Sequence, residues 1–93
     1  MRRKQGMAFM LSFVQEYLDG EMDRLGFDLD FNHYLIKHYP RMEREDADMA
    51  EAFAFYLAEI GFDKSGNLTD AEHKKLIRQR FIEFMEAKDD GFL

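Results

Sequence analysis

The sequence has no cysteine and no tryptophan, one proline and six glycines. Without cysteine there can be no disulfide, no thiolate metal site and no thiol catalysis, although the compartment stays open on that count. Two serines (Ser12, Ser65) and one threonine (Thr69) are the only aliphatic hydroxyls. No Gly-x-Ser-x-Gly or comparable frame surrounds them, and no glycine-rich phosphate loop is present. No apolar run approaches the ~18 residues of a membrane span. The opening MRRKQGMAFMLSFV has the basic-then-apolar order of a signal peptide, but QEYLDGEMD follows, without a small-x-small cleavage site. Residues 1–6 therefore read as a basic, flexible lead before an amphipathic helix. The expectation is a non-enzyme without a cofactor, in the cytoplasm, with no membrane contact.

What is present is expected to form a single helical domain over residues 7–93. Hydrophobic residues make up 46% and charged residues 34%, with ten Phe, four Tyr and seven Met to fill a core. The net charge is −6; Arg2, Arg3 and Lys4 contribute +3, so the remainder carries −9. A body of that sign is repelled by nucleic-acid phosphate, so no direct nucleic-acid contact is expected. The acids cluster. Residues 16–30 hold six of them against Arg24, and residues 43–51 hold five against Arg44. Residues 74–80 carry Lys74, Lys75, Arg78 and Arg80 with no acid.

Apolar residues recur at helical spacing, and no stretch alternates as a strand would. The expected fold is all-α, a compact bundle of about four helices over approximately 7–25, 31–39, 46–60 and 69–88. The first stripe is Met7, Leu11, Val14, Leu18, Met22 and Leu25, with Gly26 as a left-handed terminator. Asp30 would cap the second helix and Pro40 would end it. Gly61 would end the third. Thr69 and Glu72, three apart, form a capping box for the fourth. The expected core is Leu11, Val14, Leu18, Met22, Leu35, Phe53, Leu57, Ile60, Ile77, Phe81 and Phe84.

LGFDLDFN (25–32) and IGFDKSGN (60–67) lie 35 residues apart and share their pattern. Asp28, Asp30 and Asn32 correspond to Asp63, Ser65 and Asn67, with Glu72 further on. Over these first positions the two stretches resemble EF-hand loops, which implies oxygen ligands for a divalent cation between paired helices. They depart from that pattern at the sixth position, where His33 and Leu68 replace glycine. They depart again at the twelfth, where Tyr39 and Lys74 replace glutamate. A helix stop followed by a helix start accounts for the same residues, so no metal is assigned.

His33 and His38 are five apart, not the four that places two ring nitrogens on one metal. What a simple bundle does not need is a set of aromatics off its stripes. Phe9 and Phe13 lie beside the first stripe. Phe55 points away from the Phe53 and Leu57 stripe, among Asp48, Glu51 and Glu59. An apolar centre with an acidic rim is the pattern of a contact surface. The first reading is a small acidic protein–protein interaction module, an adaptor or inhibitor acting by occlusion on another protein or on a second copy as a homodimer. The alternatives are an acidic nucleic-acid mimic, of the kind phage and other mobile elements carry against DNA-binding proteins, and a divalent-metal-binding helix-loop-helix domain.

Overall fold

The computed structural model describes residues 6–89; Arg2, Arg3 and Lys4 of the basic lead, and the tail from Asp90, lie outside the described residues. The chain is all-α, with about four helices and no strand among the described residues. Its contacts divide it into two compact units, residues 1–50 and 51–93. Among the described residues no helix is long and apolar enough to cross a membrane.

In the first unit, α1 (Gly6–Leu18) stops well short of the expected residue 25. Gly20 takes the left-handed turn, at φ +88°. Asp23 then caps α2 (Arg24–Glu45), its carboxylate accepting from the Gly26 N–H at 2.9 Å. Gly26, expected as a terminator, lies inside the first turn of the next helix. The short helix expected at 31–39 is thus a 22-residue helix that starts earlier and runs through Pro40. Proline removes one backbone donor. Here Pro40 and Ile36, the residue whose carbonyl the missing donor would have met, both stand on the exposed side of α2. Buried Phe27, Phe31 and Met42 hold the remaining length in place.

α1 and α2 form an antiparallel pair, joined at one end by a charge and at the other by stacked rings. The Glu45 carboxylate accepts from the N–H groups of Gly6 (2.9 Å) and Met7 (3.1 Å). α1 has no acid in its first turn, so a side chain from the far end of α2 satisfies its free donors. The approach is close enough to require glycine: a Cβ on Gly6 would lie 2.9 Å from the His38 carbonyl oxygen and from Met42 Cγ. At the other end Phe27 stacks on Tyr17 (4.4 Å between ring centroids) and on Phe13 (5.4 Å), and meets Phe31 at 5.2 Å. Met7, Met10, Val14 and Leu18 complete this core. Of the expected stripe, Val14 and Leu18 are buried; Leu11, Met22 and Leu35 are only half-buried, and Leu25 is exposed. The face of α1 that packs is centred on Met10, Val14 and Tyr17 rather than on Leu11 and Met22. α1 ends too early for Met22 and Leu25 to extend its stripe.

α3 (Ala47–Phe53) opens on Asp46, which accepts from the Met49 N–H at 3.1 Å. Its last residues belong to the second unit, where residues 54–59 continue as a π-helical turn. The Ile60 N–H reaches the Phe55 carbonyl at 3.0 Å, the wider spacing of that helix type. Gly61 follows at φ −109°, so it is not the left-handed cap expected. Glycine is needed for another reason: a Cβ there would fall 2.7 Å from the Leu57 carbonyl oxygen and 2.8 Å from that of Tyr56. A 3-10 turn (Phe62–Lys64) leads to α4 (Asp70–Asp89). The capping box is formed as expected, with Glu72 N–H donating to Thr69 Oγ1 (3.2 Å) and Thr69 N–H to Glu72 Oε1 (3.0 Å). Phe53 and Phe84 meet edge-on at 5.5 Å, and with Leu57 and Ile77 they are fully buried, as their spacing implied. Ile60 and Phe81 are half-buried instead.

Candidate partner-binding surface

α2 is apolar on two opposite faces. At about 100° per residue, Phe27, Phe31, Tyr34, His38 and Met42 share the face turned to α1. Leu25, Leu29 and Ile36 fall about 180° from it, within a narrow stripe. These three are 66%, 69% and 75% exposed, the most open large aliphatics among the described residues. Asn32, His33 and Pro40 are exposed beside them. Eleven residues separate Leu25 from Ile36, so the stripe runs roughly 16 Å along the helix. A water-facing helix surface ordinarily carries polar side chains.

The surface residues expected from sequence meet different fates. Phe13 is only 6% exposed, stacked on Phe27 and edge-on to Tyr34 at 5.3 Å, so it belongs to the core of the helix pair. Phe9 is half-buried, stacked on His38 (4.2 Å, 27° between planes) and edge-on to Tyr34 (5.1 Å). Both rings still line a shallow hollow with Ser12 and Glu16. Longer than expected, α2 covers the side of α1 that would otherwise have been free. Phe55 remains 43% exposed, against Tyr56 at 5.2 Å, with Glu51 and Glu59 exposed on the adjoining turns. Asp48 is exposed as well, in the other unit.

No family model, curated protein or solved structure matches the chain.

The paired-loop arrangement is not formed. Residues 25–32 belong to α2, where side chains two apart diverge by about 200°. Asp30 is thereby turned away from Asp28 and Asn32, and Asp28 pairs with Arg24 at 3.3 Å. In the other stretch Ser65 is buried, its Oγ donating to the Phe62 carbonyl at 2.7 Å, and Glu72 closes the capping box. Asp63 and Asn67 are exposed. Among the described residues no three His, Asp or Glu side chains converge as a metal site would require.

Among the described residues, His38 and Glu83 have displaced proton affinities. Burial among rings, then the charges of Lys37, Arg41 and His33, hold His38 below the ordinary imidazole value of 6.5. Hydrogen bonds from Gln79 and Arg80 hold the Glu83 carboxyl below its usual value. Arg80 also donates to the Ile60 carbonyl at 3.3 Å, so this ion pair ties α4 to the end of the π-helical turn.

The sequence reading hides the outer stripe of α2, because it places Leu25 at the end of the first helix and residues 26–30 in a connection. Its signal is nevertheless there: aliphatics at positions 25, 29 and 36, half a turn from the aromatics at 27, 31 and 34.

Proposed function

We propose that this chain is a small acidic helical module for protein–protein interaction, acting by occlusion, with the outer face of α2 as its principal contact. The observation that carries this reading is the exposure of Leu25, Leu29 and Ile36 on one face of a helix whose opposite face is already packed. Burying an aliphatic side chain completely is worth about 1.5–3 kcal/mol, and most of that remains available at each of the three. Aliphatic anchors beside exposed, polar Asn32 and His33 fit a protein partner. Phe55, between Glu51 and Glu59, offers a second, smaller contact in the other unit.

The acidic-mimic reading draws less support, because Lys75 and Arg78 stand exposed on α4 and interrupt the anionic surface such a mimic needs. The metal-binding reading loses the first of its two loops to α2.

A photo-crosslinking residue at position 29, compared with one at exposed Gln79 in cells of the native host, tests the proposal. Discrete crosslinked proteins from position 29 and none from position 79 are expected. A correctly folded chain that crosslinks to nothing from position 29 refutes it.

A further inference from the structure

We propose that the C-terminal half of α2 docks an acidic segment of a partner protein, with Lys37, Arg41 and Arg44 receiving its carboxylates and Ile36 and Pro40 its apolar side chains. This rests on the reading of α2 as a partner-binding helix and deepens it, because it names the chemistry of the partner.

The cations come first. At about 100° per residue, Lys37, Arg41 and Arg44 fall within about 60° of one another, over roughly 10 Å of helix. All three are exposed. They form a face of their own, about 100° round from the stripe of Leu25, Leu29 and Ile36, with exposed Pro40 between the two. Among the described residues none of their side chains is held in an ion pair or hydrogen bond, whereas Arg24 pairs with Asp28 and Arg80 with Glu83. The neighbouring acids do not neutralise them. Glu45 is turned to the N–H groups of Gly6 and Met7, and Glu43 lies in line with Leu25 and Ile36. Asp30 shares the face but stands about two turns before Lys37.

A role inside the chain does not account for these cations. A helix C-terminus favours positive charge only within its last turn, which covers Arg44 but neither Lys37 nor Arg41. Like charges three and four residues apart work against a helix. Burial, and after it the charges of Lys37 and Arg41, hold His38 below its ordinary value, so their field is felt inside the fold. Yet the chain has 19 acids for 13 lysines and arginines, enough to pair every one. An arginine fork takes a carboxylate through two parallel hydrogen bonds, so this row of cations fits a run of carboxylates.

The apolar neighbours decide between a protein and a nucleic acid. Pro40 lies about 40° from Arg44 and about 60° from Lys37. Ile36, one turn before Pro40, is 75% exposed. A peptide brings apolar side chains to these two together with its carboxylates. A sugar-phosphate chain brings none, and the net charge of −6 opposes a long polyanion.

Fluorescence anisotropy tests this with a labelled peptide of glutamate and leucine in helical register, its glutamine counterpart, and an oligothymidylate. Wild type is expected to bind the glutamate peptide most tightly, and less so as salt rises from about 0.05 M to about 0.5 M. Lys37→Gln, Arg41→Gln and Arg44→Gln together should weaken that binding at least about tenfold while keeping wild-type circular dichroism, since all three side chains are exposed. Lys64→Gln, Lys75→Gln and Lys88→Gln together remove the same charge from exposed positions elsewhere and should leave binding within about twofold of wild type. Equal losses in the two triple variants overturn the site, because attraction then follows net charge alone. Equal binding of the glutamine peptide overturns the carboxylate, and tighter binding of the oligothymidylate overturns the protein occupant. No binding of the glutamate peptide at about 1 mM protein overturns the proposal as a whole. A wild-type dimer in sedimentation equilibrium that the first triple variant dissolves makes a second copy the occupant and overturns a foreign partner. Loss of the acidic occupant, with discrete crosslinks still formed from position 29, leaves the interaction-module reading standing. Loss of both removes it.

Discussion

Glu45 is the residue by which one end of the α1–α2 pair is closed, and its replacement tests the account of that pair most directly. Its carboxylate accepts from two α1 N–H groups, at 2.9 and 3.1 Å, that no residue of α1's own first turn can satisfy. Losing an N-terminal cap ordinarily costs about 0.5–2 kcal/mol, and the negative charge at a helix start adds about 0.3–1 kcal/mol. An opposing effect exists. Glu45 is the last residue of α2, and an acid at a helix C-terminus is unfavourable by a similar few tenths. Direct N–H···O contacts outweigh the diffuse dipole term, so Glu45→Ala should cost about 1 kcal/mol. In a domain of this size that lowers Tm by roughly 4–8 °C. Glu45→Gln keeps one acceptor oxygen and should lose about half as much, whereas Glu45→Lys places a cation against free N–H groups and should be the least stable of the three. Glu43, also exposed near the end of α2 but without that contact, provides the control: Glu43→Ala should stay within about 0.5 kcal/mol of wild type. Urea denaturation of the five proteins measures the series. Glu45→Lys as stable as wild type would refute the capping argument outright, and equal losses at positions 43 and 45 would reduce it to a nonspecific charge effect.

Two further outcomes follow from the same structure. Phe27 is fully buried between Phe13, Tyr17 and Phe31, so Phe27→Ala should cost about 3–5 kcal/mol, enough to leave the first unit substantially unfolded; a melt like that of wild type would mean the ring stack is not the core of the helix pair. His38 is held below 6.5, so the folded chain binds fewer protons at this site than the unfolded one at mildly acid pH. Its contribution is complete above 6.5 and is lost as pH falls through the lowered folded value, so the urea midpoint should drop between pH 7 and about 5, and His38→Gln should flatten that drop. An unchanged pH slope in the variant would exclude His38 as its source.

The sequence by itself determined the helical class, because aliphatic and aromatic residues recur at turns of a helix and almost nothing interrupts them. It also determined local features whose partners lie within a few residues. The Thr69–Glu72 box is one. The Phe53–Leu57 and Ile77–Phe84 spacings are others, since each turns its two side chains to one side of its own helix. Helix boundaries in the first half were a different matter. Gly20 and Gly26 are equally able to end a helix, and Asp23 and Asp30 equally able to begin one; choosing between them takes the energy of the contacts that follow. Starting α2 at Arg24 turns Phe27 onto Tyr17 and Phe13 and buries Phe31 beside it, a burial no loop over 26–30 could supply. The same choice moved Phe13 from surface to core, separated the oxygens of Asp28 and Asp30, and turned Leu25, Leu29 and Ile36 out into solvent. Tertiary packing alone decided those outcomes, because each depends on residues far apart in the chain meeting across two helices, and a local pattern contains no term for that meeting.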